Sequence, residues 1–218
     1  MRTNHAIRVV AATLGVLVGL AGIDHGIFEI LQGNARPDGL MIAAIGPAQR
    51  FWQYGEETAL TIIPNYLVTG ILAVVFGLLV MTWSLVFIDR KYGSGVLMLL
   101  SVILFLVGGG FAPIFMAALA SLAASGIHQP LRFWRAVLPG PLRRLLAKTW
   151  LGTLVVFVIA FVASVVIAIF GWPLTAFLEA GAAFSALYSL AYATLGLMAL
   201  AVLTAIARDI QIQDKGEG

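Results

Sequence analysis

Cysteine is absent from this 218-residue chain, which excludes disulfides, thiol catalysis and iron–sulfur ligation. Charged residues are scarce: they make up 11% of the chain, against about 25% in a typical soluble domain. Hydrophobic residues make up 61%, and the mean hydropathy is +1.01. Because so few polar side chains cannot cover a water-facing surface, we expect lipid to surround the protein.

Histidine is rare, and two common catalytic motifs are missing. The chain has three histidines, and only His25 lies inside an apolar run, so bis-histidine haem ligation within one chain is excluded. The metalloprotease pattern H-E-x-x-H and the nucleophile pattern G-x-S-x-G do not occur. The sequence therefore implies no particular cofactor, and a non-enzymatic role is favoured over an enzymatic one.

Four apolar runs are long enough, at about 20 residues or more, to cross a bilayer as helices. They are Ile7–Leu31, Thr58–Ile88, Trp150–Trp172 and Phe184–Ala207. A fifth run, Ser94–Ile127, is interrupted by Gly108–Pro113 and either crosses once or turns back there. No clear small-residue cleavage site follows the first run, so we expect it to remain as an uncleaved span. Residues 1–218 are predicted to form a single integral membrane domain.

The positive-inside rule decides between the two arrangements of the fifth run. If the chain turns back at Gly108–Pro113, eleven of the 13 Lys and Arg residues are cytoplasmic, and only Arg36 and Arg50 lie outside. If it crosses once, nine of the 13 lie outside. We therefore predict an all-α, multi-pass helical bundle of the cell membrane with both termini cytoplasmic. It has six helices, or four spans plus a re-entrant hairpin.

Two connecting segments are predicted to lie at the membrane interface. Residues 32–56 form an external loop, in which Gly39–Ile45, Trp52 and Tyr54 predict a short interfacial helix. Residues 129–148 are cytoplasmic and mix basic with large apolar side chains, which indicates contact with anionic lipid or, alternatively, an ordinary basic loop. The pI near 9.5 reflects basic residues beside apolar runs, so it indicates membrane orientation and not nucleic-acid binding.

Three ionisable residues, Asp24, His25 and Glu29, lie near the end of the first span. Ionisable groups within a membrane span are costly, so they are a functional-site hypothesis by default. His25 and Glu29 are four residues apart and share one helical face. The predicted topology puts Glu56 and Glu57 at the same outer depth. We predict that these residues form an outward-facing proton or cation site.

The second span carries a polar stripe of four residues. Glu57, Thr61, Asn65 and Thr69 recur every four residues, which places them on one face of a helix. Pro64 is predicted to kink that helix beside Asn65. The stripe predicts a hydrated pocket reached from outside, which is favoured for Glu57 and Asn65 as part of the site, or a polar seam that joins the first two spans, which is favoured for Thr61 and Thr69.

Other residues are candidates for closing or filling this site. Arg50 is predicted to pair with an outer carboxylate. Tyr188 and Tyr192 share a face near the outer end of the last span, where they close the site or anchor at the interface. His25, Glu29 and Glu57 are the candidate ligands if the site holds a metal ion.

Three functions fit these features. The favoured one is a small transporter or channel-like protein that handles a cation or protons at the acidic and histidine site. The alternatives are a non-catalytic subunit of a larger membrane complex, with homo-oligomerisation as a further option, and a membrane-embedded metal-dependent enzyme.

Overall fold

The structure is a computed structural model that describes residues 3–216. In that range the chain forms seven α-helices and two short strands. In chain order they are α1 His5–Leu31, β1 Met41–Ala43, β2 Thr58–Leu60, α2 Tyr66–Val86, α3 Gly93–Leu106, α4 Phe111–Ser125, α5 Arg132–Val137, α6 Gly140–Phe170 and α7 Ala180–Gly216.

Four helices, α1, α2, α6 and α7, are long and apolar enough to cross a membrane. The predicted helical bundle is confirmed to this extent, and the four helices are compatible with an integral membrane protein. The helices α3 and α4 are also apolar but have 14 and 15 residues. At 1.5 Å per residue they extend about 21 and 23 Å, short of a hydrocarbon core about 30 Å thick.

The predicted turn in the fifth apolar run is present. Helix α3 ends at Leu106 and α4 begins at Phe111, and the two helices pack against each other. Their far ends meet again, because His128 Nε2 lies 2.8 Å from the carbonyl oxygen of Asp89. Gly108 and Gly110 within the turn have φ of +101° and +82°, a region that side chains disfavour. The glycines therefore allow the chain to reverse here.

Helix α1 lies at the centre of the bundle and packs against α2, α3, α4 and α7. Its closest partner is α2, along two pairs of glycines. A β-carbon added to Gly26 would lie 2.6 Å from the Gly70 carbonyl oxygen, and one added to Gly19 would lie 2.5 Å from that of Gly77. Gly19 and Gly26 are seven residues apart on α1, and Gly70 and Gly77 are seven residues apart on α2, so both contacts fall on one seam. Glycine lets the two backbones approach closely there.

One end of the bundle, here called the basic end, joins the first and last described helices. The carboxylate of Asp209 on α7 accepts hydrogen bonds from the amides of Ala6 (3.1 Å) and Ile7 (2.8 Å), which lie in the first turn of α1. Gln213 Nε2 donates to Asn4 Oδ1 at 2.8 Å. A carboxylate at a helix N-terminus satisfies amides that lack an intrahelical partner. These bonds fix the start of α1 against the end of α7.

The opposite end, here called the acidic end, differs from the prediction in two places. Helix α2 begins at Tyr66 and not at Thr58, so Pro64 precedes the helix and the predicted four-residue stripe and kink are wrong. Proline is unfavourable within a helix, whereas Asn65 is a good first cap. Where an interfacial helix was expected at Gly39–Ile45, the structure has β1, which pairs antiparallel with β2.

Candidate functional site

His25 of α1 contacts Glu57, which immediately precedes β2. The two side chains form an ion pair, with His25 Nε2 lying 2.5 Å from Glu57 Oε2. His25 is 6% exposed, whereas the Glu57 side chain is 25% exposed. The other ring nitrogen, Nδ1, is buried and has no hydrogen-bond partner among residues 3–216. The pair thus joins a partly exposed carboxylate to a buried imidazole.

Positive charge on the His25 ring lowers the pKa of Glu57. Burial raises the pKa of Glu57, but the positive charge of His25 and the hydrogen bond from its ring lower it more. The result is a pKa below the ordinary value of 4.5, so the contact favours the ionised carboxylate. Asp24 is half-buried and close enough to interact electrostatically with both His25 and Glu57. Three ionisable groups from α1 and the start of β2 therefore share one small region.

Glu29 lies one turn further along α1 and is fully buried, with no exposed surface. Neither of its carboxylate oxygens has a hydrogen-bond partner within the described part of the chain. A buried carboxyl group without a partner is costly and therefore unusual in a structure that serves packing alone. Glu29 is the most unusual side chain of the site.

The turn between α3 and α4 covers both His25 and Glu29. A β-carbon added to Gly108 would overlap the Glu29 carboxylate, and one added to Gly110 would lie 2.6 Å from His25 Nε2. Only glycine leaves space for both side chains. The turn therefore forms a wall of the site, as well as a reversal of the chain.

Backbone hydrogen bonds attach this turn to the segment that follows β2. The Gly108 amide donates to the Leu60 carbonyl, and the Ile62 amide donates to the Leu106 carbonyl, both at 2.9 Å. The Thr61 and Thr69 hydroxyls are 2.6 Å apart, and Thr69 Oγ1 donates to the Val107 carbonyl at 2.7 Å. Thr61 and Thr69 thus join the segment after β2 and helix α2 to the turn between α3 and α4, whereas the predicted seam joins the first two spans to each other.

Several other candidates have contacts of their own. Asn65 caps α2 by accepting a hydrogen bond from the Val68 amide at 3.1 Å, so it has a structural role. Arg50 pairs with Glu56, whose side chain is exposed. Tyr188 and Tyr192 are exposed on α7, with ring centroids 6.3 Å apart. Their ring contacts in the described chain are with each other and, for Tyr188, with Phe184.

Two observations limit what this site does chemically. Among the described residues no group of three or more His, Asp or Glu side chains has an arrangement that suits a metal ion. The buried hydroxyls of Ser84 and Ser101 donate to carbonyls of their own helices, at 2.7 and 2.8 Å, and both lie in a largely apolar core. The buried core of the described chain between the site and the basic end is therefore mainly apolar.

Two structural roles have no clear signal in the sequence. Asp209, near the end of α7, caps the start of α1. Gly108 and Gly110 were interpreted as a turn, whereas they also form the surface against Glu29 and His25. The run of three glycines marked the turn, but no sequence signal showed which side chains it contacts.

Comparison with known proteins does not identify this site. No protein-family model matches the chain, and no curated protein or solved structure matches it. The geometry of the site is therefore the basis for assigning a function.

Proposed function

We propose that the protein is a transport-type membrane protein whose site at the acidic end handles protons. The observation that carries this proposal is the fully buried Glu29, which has no hydrogen-bond partner among residues 3–216 and lies one helical turn from the His25–Glu57 ion pair. Ionisable side chains placed in this way within a membrane span are typical of proton relays.

The proposed order of groups follows their exposure. Glu57, the most exposed of the three, exchanges protons with water at the acidic end. His25 accepts a proton at Nε2 and presents Nδ1 to the interior, as a neutral or charged imidazole does in other shuttles. Glu29 is the buried terminus of this relay. Because three clustered metal ligands are not found in the described residues, we favour protons over a metal cation.

The proposal includes the predicted membrane orientation. The acidic end faces outward and the basic end faces the cytoplasm, as the distribution of Lys and Arg predicts. The apolar core between Glu29 and the basic end then represents a state closed to the cytoplasm. Transport requires a second conformation in which α1 and the α3–α4 hairpin expose Glu29 to the other side.

A flux assay in proteoliposomes tests the proposal. Vesicles that contain a pH-sensitive dye are given a membrane potential, and the rate of internal acidification is measured. We expect wild-type protein to accelerate acidification over protein-free vesicles. Glu29→Gln is expected to abolish this increase, because the amide keeps the shape of the side chain but cannot ionise. Arg36→Gln, an exposed change at the same end, serves as the matched control.

Two results would count against the proposal. If wild-type protein acidifies the vesicles no faster than protein-free vesicles acidify, proton transport is excluded. If Glu29→Gln transports protons as fast as the wild type, the buried carboxyl group is not part of the mechanism. Flux of sodium or potassium without protons would keep the transport class but overturn the choice of proton.

The alternative of a subunit in a larger complex or a homo-oligomer has one supporting observation. A groove of about 420 Å³ on α6, near Trp172, is lined almost entirely by apolar side chains, including Ile159 and Val162. The small-residue face of α4 gives no such support, because Ala117 and Ala120 are already buried in the bundle. Purification as a monomer without a copurifying protein would argue against this alternative.

A further inference from the structure

A second cavity, separate from the acidic site, opens at the basic end. It has a volume of about 400 Å³ and lies between α1, α4, α5 and α7. Ile7, Leu122 and Val202 contribute apolar side chains to its lining, and Arg132 and Phe133 of α5 contribute to it as well. A groove with an apolar wall and a guanidinium group suits a ligand that has both a hydrocarbon chain and an anionic group.

Ion pairs divide the basic residues of this region into two sets. Arg135 and Arg143 both pair with Asp214 of α7, each at 3.2 Å. These two arginines hold α5 and the start of α6 against α7. The second set consists of Arg132, Arg144 and Lys148, which are exposed and form no ion pair within residues 3–216. Their charges are thus available to an anion.

The position of α5 beside the groove is well defined. Leu131, which precedes α5, has φ of +52° although it is not glycine, and its side chain is 6% exposed. A residue adopts this conformation only where surrounding packing enforces it. Arg135 also donates to Gln213 Oε1 at 3.1 Å, which fixes α5 to α7.

Large apolar side chains are exposed beside the unpaired basic residues. Phe133, Val137 and Leu145 are 68%, 54% and 61% exposed. Basic residues interspersed with exposed apolar ones are typical of segments that lie in the headgroup region of a bilayer. This surface is therefore suited to contact with lipid.

We infer that the groove binds one anionic phospholipid, whose acyl chain lies along Ile7, Leu122 and Val202 and whose phosphate contacts Arg132. Arg144 and Lys148 add attraction to the surrounding anionic headgroups. This site is independent of the proton relay, and it provides a specific contact between the α4–α5–α7 region and the anionic leaflet.

Lipid titration of the purified full chain in neutral detergent tests this inference. Phosphatidylglycerol and phosphatidylcholine with identical acyl chains are compared by native mass spectrometry, which counts bound lipids and gives a dissociation constant for each. We expect phosphatidylglycerol to bind more tightly. The triple variant Arg132→Gln, Arg144→Gln, Lys148→Gln is expected to lose this preference, with a fall of about fivefold in affinity for phosphatidylglycerol, because Arg132 is the residue that contacts the phosphate.

Two further variants separate charge from groove. Arg36→Gln, Arg90→Gln, Lys91→Gln removes three other exposed basic residues and should keep the preference. Ser125→Phe, at an exposed residue that lines the groove, should weaken both lipids because it fills the space for the chain.

The inference is overturned by any of three results. These are equal binding of the two lipids by wild-type protein, equal losses in the two triple variants, and binding of glycerol phosphate alone as tightly as phosphatidylglycerol. The last result would show that the groove makes no contribution. A thermal unfolding midpoint equal to that of the wild type, measured for each variant without lipid, confirms that the fold is retained.

Discussion

Glu29 is the residue on which the functional account depends, and Gly108 is the residue that accommodates it. The carboxyl group is fully buried and packs against the turn that Gly108 begins. Two separate constraints act on Gly108: its φ of +101° disfavours any side chain, and a β-carbon would overlap the Glu29 carboxylate. A comparison of Gly108 with Gly33, where only the first of these constraints acts, measures the two effects separately.

We predict that Gly108→Ala destabilises the protein more than Gly33→Ala does. Gly33 also has positive φ, at +77°, but no atom lies within 4 Å of an added β-carbon. Gly33→Ala should therefore lower the free energy of unfolding only by the conformational strain, roughly 1–2 kcal/mol. Gly108→Ala should cost about 1–3 kcal/mol more from overpacking. Reversible unfolding in mixed detergent micelles measures both values.

A double variant identifies the source of this difference. Adding Glu29→Ala to Gly108→Ala removes the carboxylate that the new methyl group meets, so part of the extra cost should be recovered. If Gly108→Ala lowers the free energy of unfolding by the same amount with Glu29 present and with Glu29 replaced by alanine, the turn does not pack against that carboxylate.

At the scale of elements, the α1–α2 seam fixes the position of α1, the helix that carries His25 and Glu29. The two helices approach closely where Gly26 meets Gly70 and where Gly19 meets Gly77. The Gly26–Gly70 contact lies one residue from His25, so it fixes the position of the imidazole along the bundle. Glycines allow close packing wherever they face another helix, and the structure identifies α2 as the partner of those in α1.

We predict that Gly70→Ala lowers the free energy of unfolding by about 1–3 kcal/mol. An added β-carbon would lie 2.5 Å from the Gly26 carbonyl oxygen, and backbone atoms cannot move aside as a flexible side chain does. Gly196→Ala in α7 is the matched control, since no atom lies within 4 Å of its added β-carbon. That control should be neutral or stabilising, because alanine favours helix over glycine. Equal effects of the two substitutions would contradict close packing at the seam.

The sequence predicted the long helices better than the segment that covers the site. Hydropathy identifies a membrane helix because about 20 consecutive apolar residues are needed to cross the bilayer. The start of α2 was predicted eight residues too early, at Thr58, because the strand β2 is also apolar. Pro64 and Asn65 were the local signals of the correct boundary, since proline disfavours the helix interior and asparagine favours its cap.

At the scale of the whole molecule, the chain separates an acidic end from a basic end. The order and packing of the helices bring His25, Glu29 and Glu57 to the first end. They bring Arg132 and Lys148, which form no ion pair within the described chain, to the second. Residue spacing predicted that His25 and Glu29 share a face. The contact with Glu57 and the covering turn were not readable from sequence, because they depend on how four separate segments pack.

Because the chain has no cysteine, its orientation is testable with single introduced cysteines. We predict that Gly39→Cys, at the acidic end, reacts with a membrane-impermeant maleimide in intact cells. Ala136→Cys, exposed on α5 at the basic end, should react only after permeabilisation. The reverse pattern would place the acidic site on the cytoplasmic side.

The most direct test of the central claim is infrared difference spectroscopy of the purified protein across a pH step. The account predicts a carboxyl band that changes with pH in the wild type and in Arg36→Gln but is missing from Glu29→Gln. Loss of the same change in Glu57→Gln would place Glu57 on the route by which protons reach Glu29. Identical difference spectra for the wild type and Glu29→Gln would contradict a proton-handling site at Glu29.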